Sequence, residues 1–136
     1  MEKEFATYEQ ALALKELGFD EPCFGRWLVI TEWEKPTGNI KLQLGVVAED
    51  YDKKQWNAPL YQQAFRFFRE KYGLCACISL TSMGDTFGFD IMLHNFSIER
   101  DEYPIPGSYC FLTYEQAEQA CLDKLIEIAK QQKNEN

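Results

Sequence analysis

The chain has 136 residues, 46% of them apolar and 15% aromatic, which suits a core-bearing globular protein and excludes wholesale disorder. A net charge of −8 disfavours direct binding to DNA or RNA, and no run approaches the roughly 18 consecutive apolar residues of a membrane span. Five cysteines without framework spacing fit reduced thiols, and Met1-Glu2-Lys3-Glu4 lacks the basic, apolar start of a signal peptide, so one cytoplasmic domain over residues 1–136 is expected.

A first helix is predicted from Tyr8 to Leu17, with Ala11, Leu14 and Leu17 at helical spacing and Gly18 as the stop. Phe19 to Gly25 contains Pro22 and reads as a loop. Arg26 to Trp33 is aromatic and β-branched, a strand; Glu34 to Asn39 reads as a turn and Ile40 to Ala48 as the returning strand, with Ile40, Leu42, Leu44 and Val46 on one face. Glu49 to Asn57 reads as a charged connection in which Glu49, Asp50 and Asp52 are solvated.

The second helix is predicted from Pro59 to Tyr72, and its wide apolar arc places it near the centre of the core. Gly73 ends it. A second hairpin follows, Leu74 to Thr81 and Thr86 to Phe96, with a turn at Met83-Gly84-Asp85. Leu74, Ala76, Ile78 and Leu80 share one face, as do Phe87, Phe89, Ile91 and Leu93. Ser97 to Ser108, with Pro104 and Pro106, is a loop, and Tyr109 to Leu112 a short extended piece. The third helix covers Tyr114 to Lys130, with Ala117, Cys121, Leu125, Ile128 and Ala129 inward, and residues 131–136 form a frayed tail. The predicted order is α-β-β-α-β-β-α: an α+β fold with one antiparallel four-stranded sheet and helices mainly on one face.

The three helix starts share a signature at a constant interval of 53 residues: Tyr8-Glu9-Gln10-Ala11, Tyr61-Gln62-Gln63-Ala64 and Tyr114-Glu115-Gln116-Ala117. Thr7 with Gln10 and Thr113 with Gln116 have capping-box spacing, whereas Ala58-Pro59 introduces the middle copy. Two readings stand: convergence on good helix-start chemistry, or duplication of an α-β-β unit.

Signals of catalysis are thin. His94 is the single histidine, and Cys75-Ala76-Cys77 does not have the spacing of a zinc knuckle. There is no glycine-rich phosphate loop and no nucleophile elbow. No catalytic residue, cofactor or metal is therefore expected. If the helices cover the face bearing Leu42, Ile78 and Ile91, the other face holds Cys75, Cys77, Asp90, Met92 and His94, together with Trp27, Val29, Thr31 and Trp33 of the first hairpin. Tryptophan and methionine on an uncovered face suit a partner or a homodimer interface. The candidate partner-binding residues are Trp27, Trp33, Asp90, Met92 and His94, with Phe24 in the loop.

The run Leu14-Lys15-Glu16-Leu17-Gly18-Phe19-Asp20-Glu21-Pro22-Cys23-Phe24-Gly25, the run from Ala58-Pro59-Leu60-Tyr61-Gln62-Gln63-Ala64 to Leu74, and Thr113-Tyr114-Glu115-Gln116-Ala117-Glu118 on to Ile128 are similar to a group of short uncharacterised proteins of bacteriophages, prophages and mobile elements of gut bacteria. The likeness spans nearly the whole chain, most specifically in the helices and the Pro22-Cys23 loop. That group usually has Trp where this chain has Phe67. It carries no established activity, so the resemblance implies a setting, a phage-related protein in a bacterial cytoplasm, and no catalytic residue. The expected function is a non-enzymatic interaction protein that binds a host protein or itself. The alternative is a small-molecule or nucleotide-binding protein that sequesters its ligand.

Overall fold

A computed structural model describes residues 2–32, 35–45, 55–82, 84–93 and 109–135. They form three helices, α1 (Tyr8–Glu16), α2 (Tyr61–Tyr72) and α3 (Tyr114–Glu135), and six strands: β1 (Gly25–Glu32), β2 (Lys35–Leu44), β3 (Gln55–Ala58), β4 (Leu74–Leu80), β5 (Phe87–Leu93) and β6 (Tyr109–Phe111). The fold is α+β, as expected. The single four-stranded sheet is corrected: there are two three-stranded antiparallel sheets, ordered β2-β1-β3 and β4-β5-β6. Each hairpin takes its third strand from the segment just before the next helix, instead of pairing with the other hairpin. The chain divides into two compact units, residues 1–60 and 61–136.

In the first unit Thr7 caps α1 with a full capping box. Its hydroxyl accepts from the Gln10 amide at 3.2 Å, and the Gln10 side chain accepts from the Thr7 amide at 3.0 Å. At the other end Gly18 adopts φ 96°, and the Phe19 and Gly18 amides return to the carbonyls of Leu14 (2.9 Å) and Lys15 (3.0 Å). This is a Schellman motif, and the left-handed φ at its turning point favours glycine. Ala11, Leu14 and Leu17 are buried, as their spacing predicts.

The first hairpin differs from expectation in its turn. Lys35 to Asn39, read as turn, belongs to β2, and the register shifts between Ile30 and Thr31, where Ile30 faces Asn39 but Thr31 faces Pro36. Pro36 and Gly38 are tolerated because β2 is an edge strand and the irregularity is a bulge. The pairing also fixes the faces. Trp27 lies opposite Leu42 on one side and Trp56 on the other, and directly opposed residues share a face. Trp27 therefore belongs to the Leu42 face, not to the opposite one as the sequence reading had it. α1 covers that face: Phe5, Ala11, Trp27 and Ala58 form a core cluster, with Tyr8, Leu42, Leu44 and Trp56 packed against it. Strand β3 was missed, since Gln55 to Asn57 is polar apart from Trp56.

Pro59 was expected as the first residue of the second helix, but α2 begins at Tyr61. Pro59 closes the first unit instead: its carbonyl accepts from the Ala6 amide at 2.8 Å, beside a bridge between Phe5 and Leu60.

In the second unit α2 ends at Gly73, which has φ 68°. Tyr61, Ala64, Phe67 and Phe68 of α2 are buried, as are Ala117, Cys121, Leu122, Leu125, Ile126, Ile128 and Ala129 of α3. Both helices pack on the sheet and on each other. The β4–β5 register places Ala76 opposite Ile91 and Ile78 opposite Phe89, so the predicted apolar faces coincide, and Leu74, Phe89 and Ile91 are buried. α3 continues past Lys130 to Glu135. Residues 97–108, with Pro104 and Pro106, and the acidic residues Glu49, Asp50 and Asp52 lie outside the described residues, as does Met83 of the second turn.

Candidate interaction surface

The sheet of the second unit alternates strictly. Against the buried side, Cys75 pairs with Met92, Cys77 with Asp90 and Ser79 with Gly88 on the other side. Met92 is 60% exposed, Cys77 and Ser79 are exposed, and Cys75 and Asp90 half-buried. The structure thus brings together two of the sequence candidates, Asp90 and Met92. Trp27 belongs to the first unit, where it is only 8% exposed and its indole N–H donates to the Ala6 carbonyl at 2.9 Å. A side chain so buried is structural in the first unit, which corrects its placement on an uncovered face. Phe24, in the same unit, stands 62% exposed. Trp33 and His94 lie outside the described residues.

A second apolar feature was not anticipated. At one end of the second unit's sheet, Leu80, Phe87 and Phe111 form a rank across the three strands. The Tyr114 ring stands edge-on to Phe87 at 5.8 Å, and Phe111 stacks near Phe89 at 6.1 Å. Around this rank Leu80 is 59% exposed, Leu112 75% and Tyr114 45%. Alternation alone assigns Leu80 to the covered face. Its exposure follows from its position at the strand end, which sequence periodicity does not locate relative to the helices.

Among the described residues the largest electrostatic shifts fall on buried groups. Burial pushes the Cys121 thiol from an ordinary value of 9.0 up to about 12, with further contributions from Cys77, Glu118 and Asp90. Burial, then the charges of Glu118 and Asp123, raises the Tyr61 phenol, so both groups stay protonated at neutral pH. A buried neutral thiol of this kind is inert rather than nucleophilic. Among the described residues no group of three or more His, Cys, Asp or Glu is placed to hold a metal ion, and no helix is long and apolar enough to cross a membrane. Comparison of the chain with family models, curated proteins and solved structures gives no match.

Proposed function

We propose that the chain is a non-enzymatic interaction protein that binds a host protein or a second copy of itself through its second unit. The observation that supports this reading most is the apolar end of the β4–β5–β6 sheet, where Leu80, Leu112 and Tyr114 are exposed around Phe87. Large apolar side chains gathered in one place favour a protein partner over solvent. Met92, on the reverse face of the same sheet, and Phe24, in the first unit, are further exposed apolar side chains. The net charge of −8 favours a partner with a basic rim and disfavours direct contact with nucleic acid. The likeness of the helices and the Pro22-Cys23 loop to phage and mobile-element proteins supplies the proposed setting, the cytoplasm of a bacterial host.

Light scattering after size exclusion tests this, alone and in host extract, for the wild type and for Leu80→Asp/Leu112→Asp, both changes at exposed positions. A wild-type dimer, or a co-eluting host protein, that is lost in the folded variant supports the reading. A wild-type monomer with no co-eluting protein turns the assignment to the alternative, a small-molecule or nucleotide binder, which a cleft of about 400 Å3 in the first unit favours.

A further inference from the structure

The first unit contains a groove of about 400 Å3 lined by Ala11, Lys15, Gly18, Phe19, Asp20, Gln55, Trp56 and Asn57. Three consecutive residues of β3 border it. Side chains alternate between faces along a strand, and its edge is the place where consecutive residues such as Gln55, Trp56 and Asn57 are all within reach of one groove. The inner edge of β3 is occupied by β1, through the pairs from Gly25–Ala58 to Leu28–Gln55. The groove therefore follows the outer edge, where among the described residues no other strand is paired. The opposite wall is α1, where Ala11 and Lys15 lie one turn apart and the small Ala11 leaves room. Gly18 to Asp20, just beyond the helix, also line it.

We propose that this groove binds an extended peptide segment, which adds to β3 as a further antiparallel or parallel strand. An unpaired strand edge presents backbone N–H and C=O groups at the spacing an incoming strand requires, and a flanking helix supplies side-chain selectivity. β3 spans four residues, which sets the length of the paired segment. Charge sets its composition. Lys15 on the helix wall takes an acidic side chain. Asp20, reinforced by the negative end of the α1 dipole, takes a basic one beyond the helix C-terminus. Both charged residues are exposed, so their exchange leaves the unit's core intact. The Asn57 side-chain Nδ2 already donates to the Glu21 carbonyl at 3.1 Å, and the Gln55 side-chain Oε1 accepts from the Arg26 guanidinium at 3.1 Å, so the two side chains hold the groove's shape before a peptide arrives.

The test is selection of displayed linear heptapeptides on the full chain, in its wild-type form and as Lys15→Glu/Asp20→Lys, with circular dichroism confirming that both are folded. The expected result is enrichment of peptides with one acidic and one basic residue in a fixed order, and the reverse order on the charge-swapped chain. A selected peptide, synthesised, then shifts the amide resonances of residues 55–58, and N-methylation of alternate backbone nitrogens weakens it about tenfold or more. Four results overturn the proposal: no enriched peptide, the same peptides from both chains, full binding by the N-methylated form, or amide shifts confined to the second unit.

Discussion

The indole N–H of Trp27 donates to the main-chain carbonyl of Ala6 at 2.9 Å, tying the centre of the first sheet to the segment that leads into α1. Ala6 is itself buried and donates its own amide to Pro59, so a single residue joins both ends of the unit's chain through Trp27 and Pro59. Replacing Trp27 by Phe keeps most of the ring volume but removes the donor. Leaving a buried carbonyl without it costs about 1–3 kcal/mol. Trp27→Ala adds a cavity and costs about 3–5 kcal/mol. Denaturant unfolding followed by far-ultraviolet circular dichroism checks both, and a Phe variant as stable as the wild type would show that the hydrogen bond contributes nothing.

Gly25 has no room for a side chain. A Cβ built there lies 2.7 Å from the Phe5 ring and 3.2 Å from the Ala58 carbonyl oxygen. Gly25→Ala is expected to destabilise the first unit by about 1–3 kcal/mol, the range for overpacking. The ring is one side of the clash, so Gly25→Ala should cost less in a Phe5→Leu background than in the wild type. A double-mutant cycle measures this, and additive effects would refute the steric account.

Three of the five thiols mark the extremes of labelling, with Cys23 and Cys75 of intermediate exposure between them. Cys77 and Cys110 are exposed, whereas Cys121 is buried and its thiol is held protonated. Mass spectrometry after brief alkylation of the native chain is expected to find Cys77 and Cys110 modified and Cys121 untouched, with Cys121 reacting only in denaturant. Early modification of Cys121 would mean that the α3 packing opens readily.

Alkaline stability follows from the same group. Its folded value, about 12, lies above the ordinary 9.0, so above about pH 9 the unfolded chain releases the proton first. Stability is fully present below that pH and falls as pH rises towards the folded value, at a limiting slope of about 1.4 kcal/mol per pH unit for one group. The raised Tyr61 phenol adds a second loss that begins at its ordinary value of 10.0. Cys121→Ala should remove the earlier part of the decline. Urea midpoints at stepped pH between 8 and 11 resolve it, and an unchanged slope in the variant would exclude Cys121 as its source.

The two threonine caps are unequal. Thr7 belongs to a reciprocal, half-buried box, whereas Thr113 accepts from the Gln116 amide at 3.1 Å in an exposed setting and Gln116 reaches Leu112 at 3.2 Å instead of the cap residue. Thr7→Ala is expected to cost about 1 kcal/mol and Thr113→Ala less. Thermal melts of the two single variants compare them directly.

The helix starts were legible because capping is local. Tyr8 and Tyr114 each open a helix as predicted, while α2 opens at Tyr61, two residues after the predicted Pro59. The inward positions of α1 and α3, and the coincident faces of β4 and β5, were legible for the same reason: periodicity within an element needs no knowledge of its neighbours. Relations between elements were not. Whether Trp27 shares a face with Leu42 depends on how many residues the hairpin turn consumes, and Lys35 to Asn39 looked like turn because Pro36 and Gly38 usually punctuate strands. Of the two third strands, β6 was legible as the short extended piece from Tyr109 to Leu112, whereas β3 was hidden by its brevity and its polar residues. The exposed end at Leu80 and Leu112 depends on where α2 and α3 stop covering the sheet, which no periodicity encodes.

The unlike strand orders change what the regular spacing of the helix starts means. In the first unit the strand that joins late settles beside β1; in the second it settles beside β5, continuing a simple meander. Two copies of one ancestral piece would be expected to share a wiring diagram, and these do not. The interval is better understood as the length of chain that a helix and three strands consume before the next helix begins. Residues added in a connection would therefore spoil the regular count while leaving every strand pair in place, at a cost of only about 0.6 kcal/mol for each doubling of loop length.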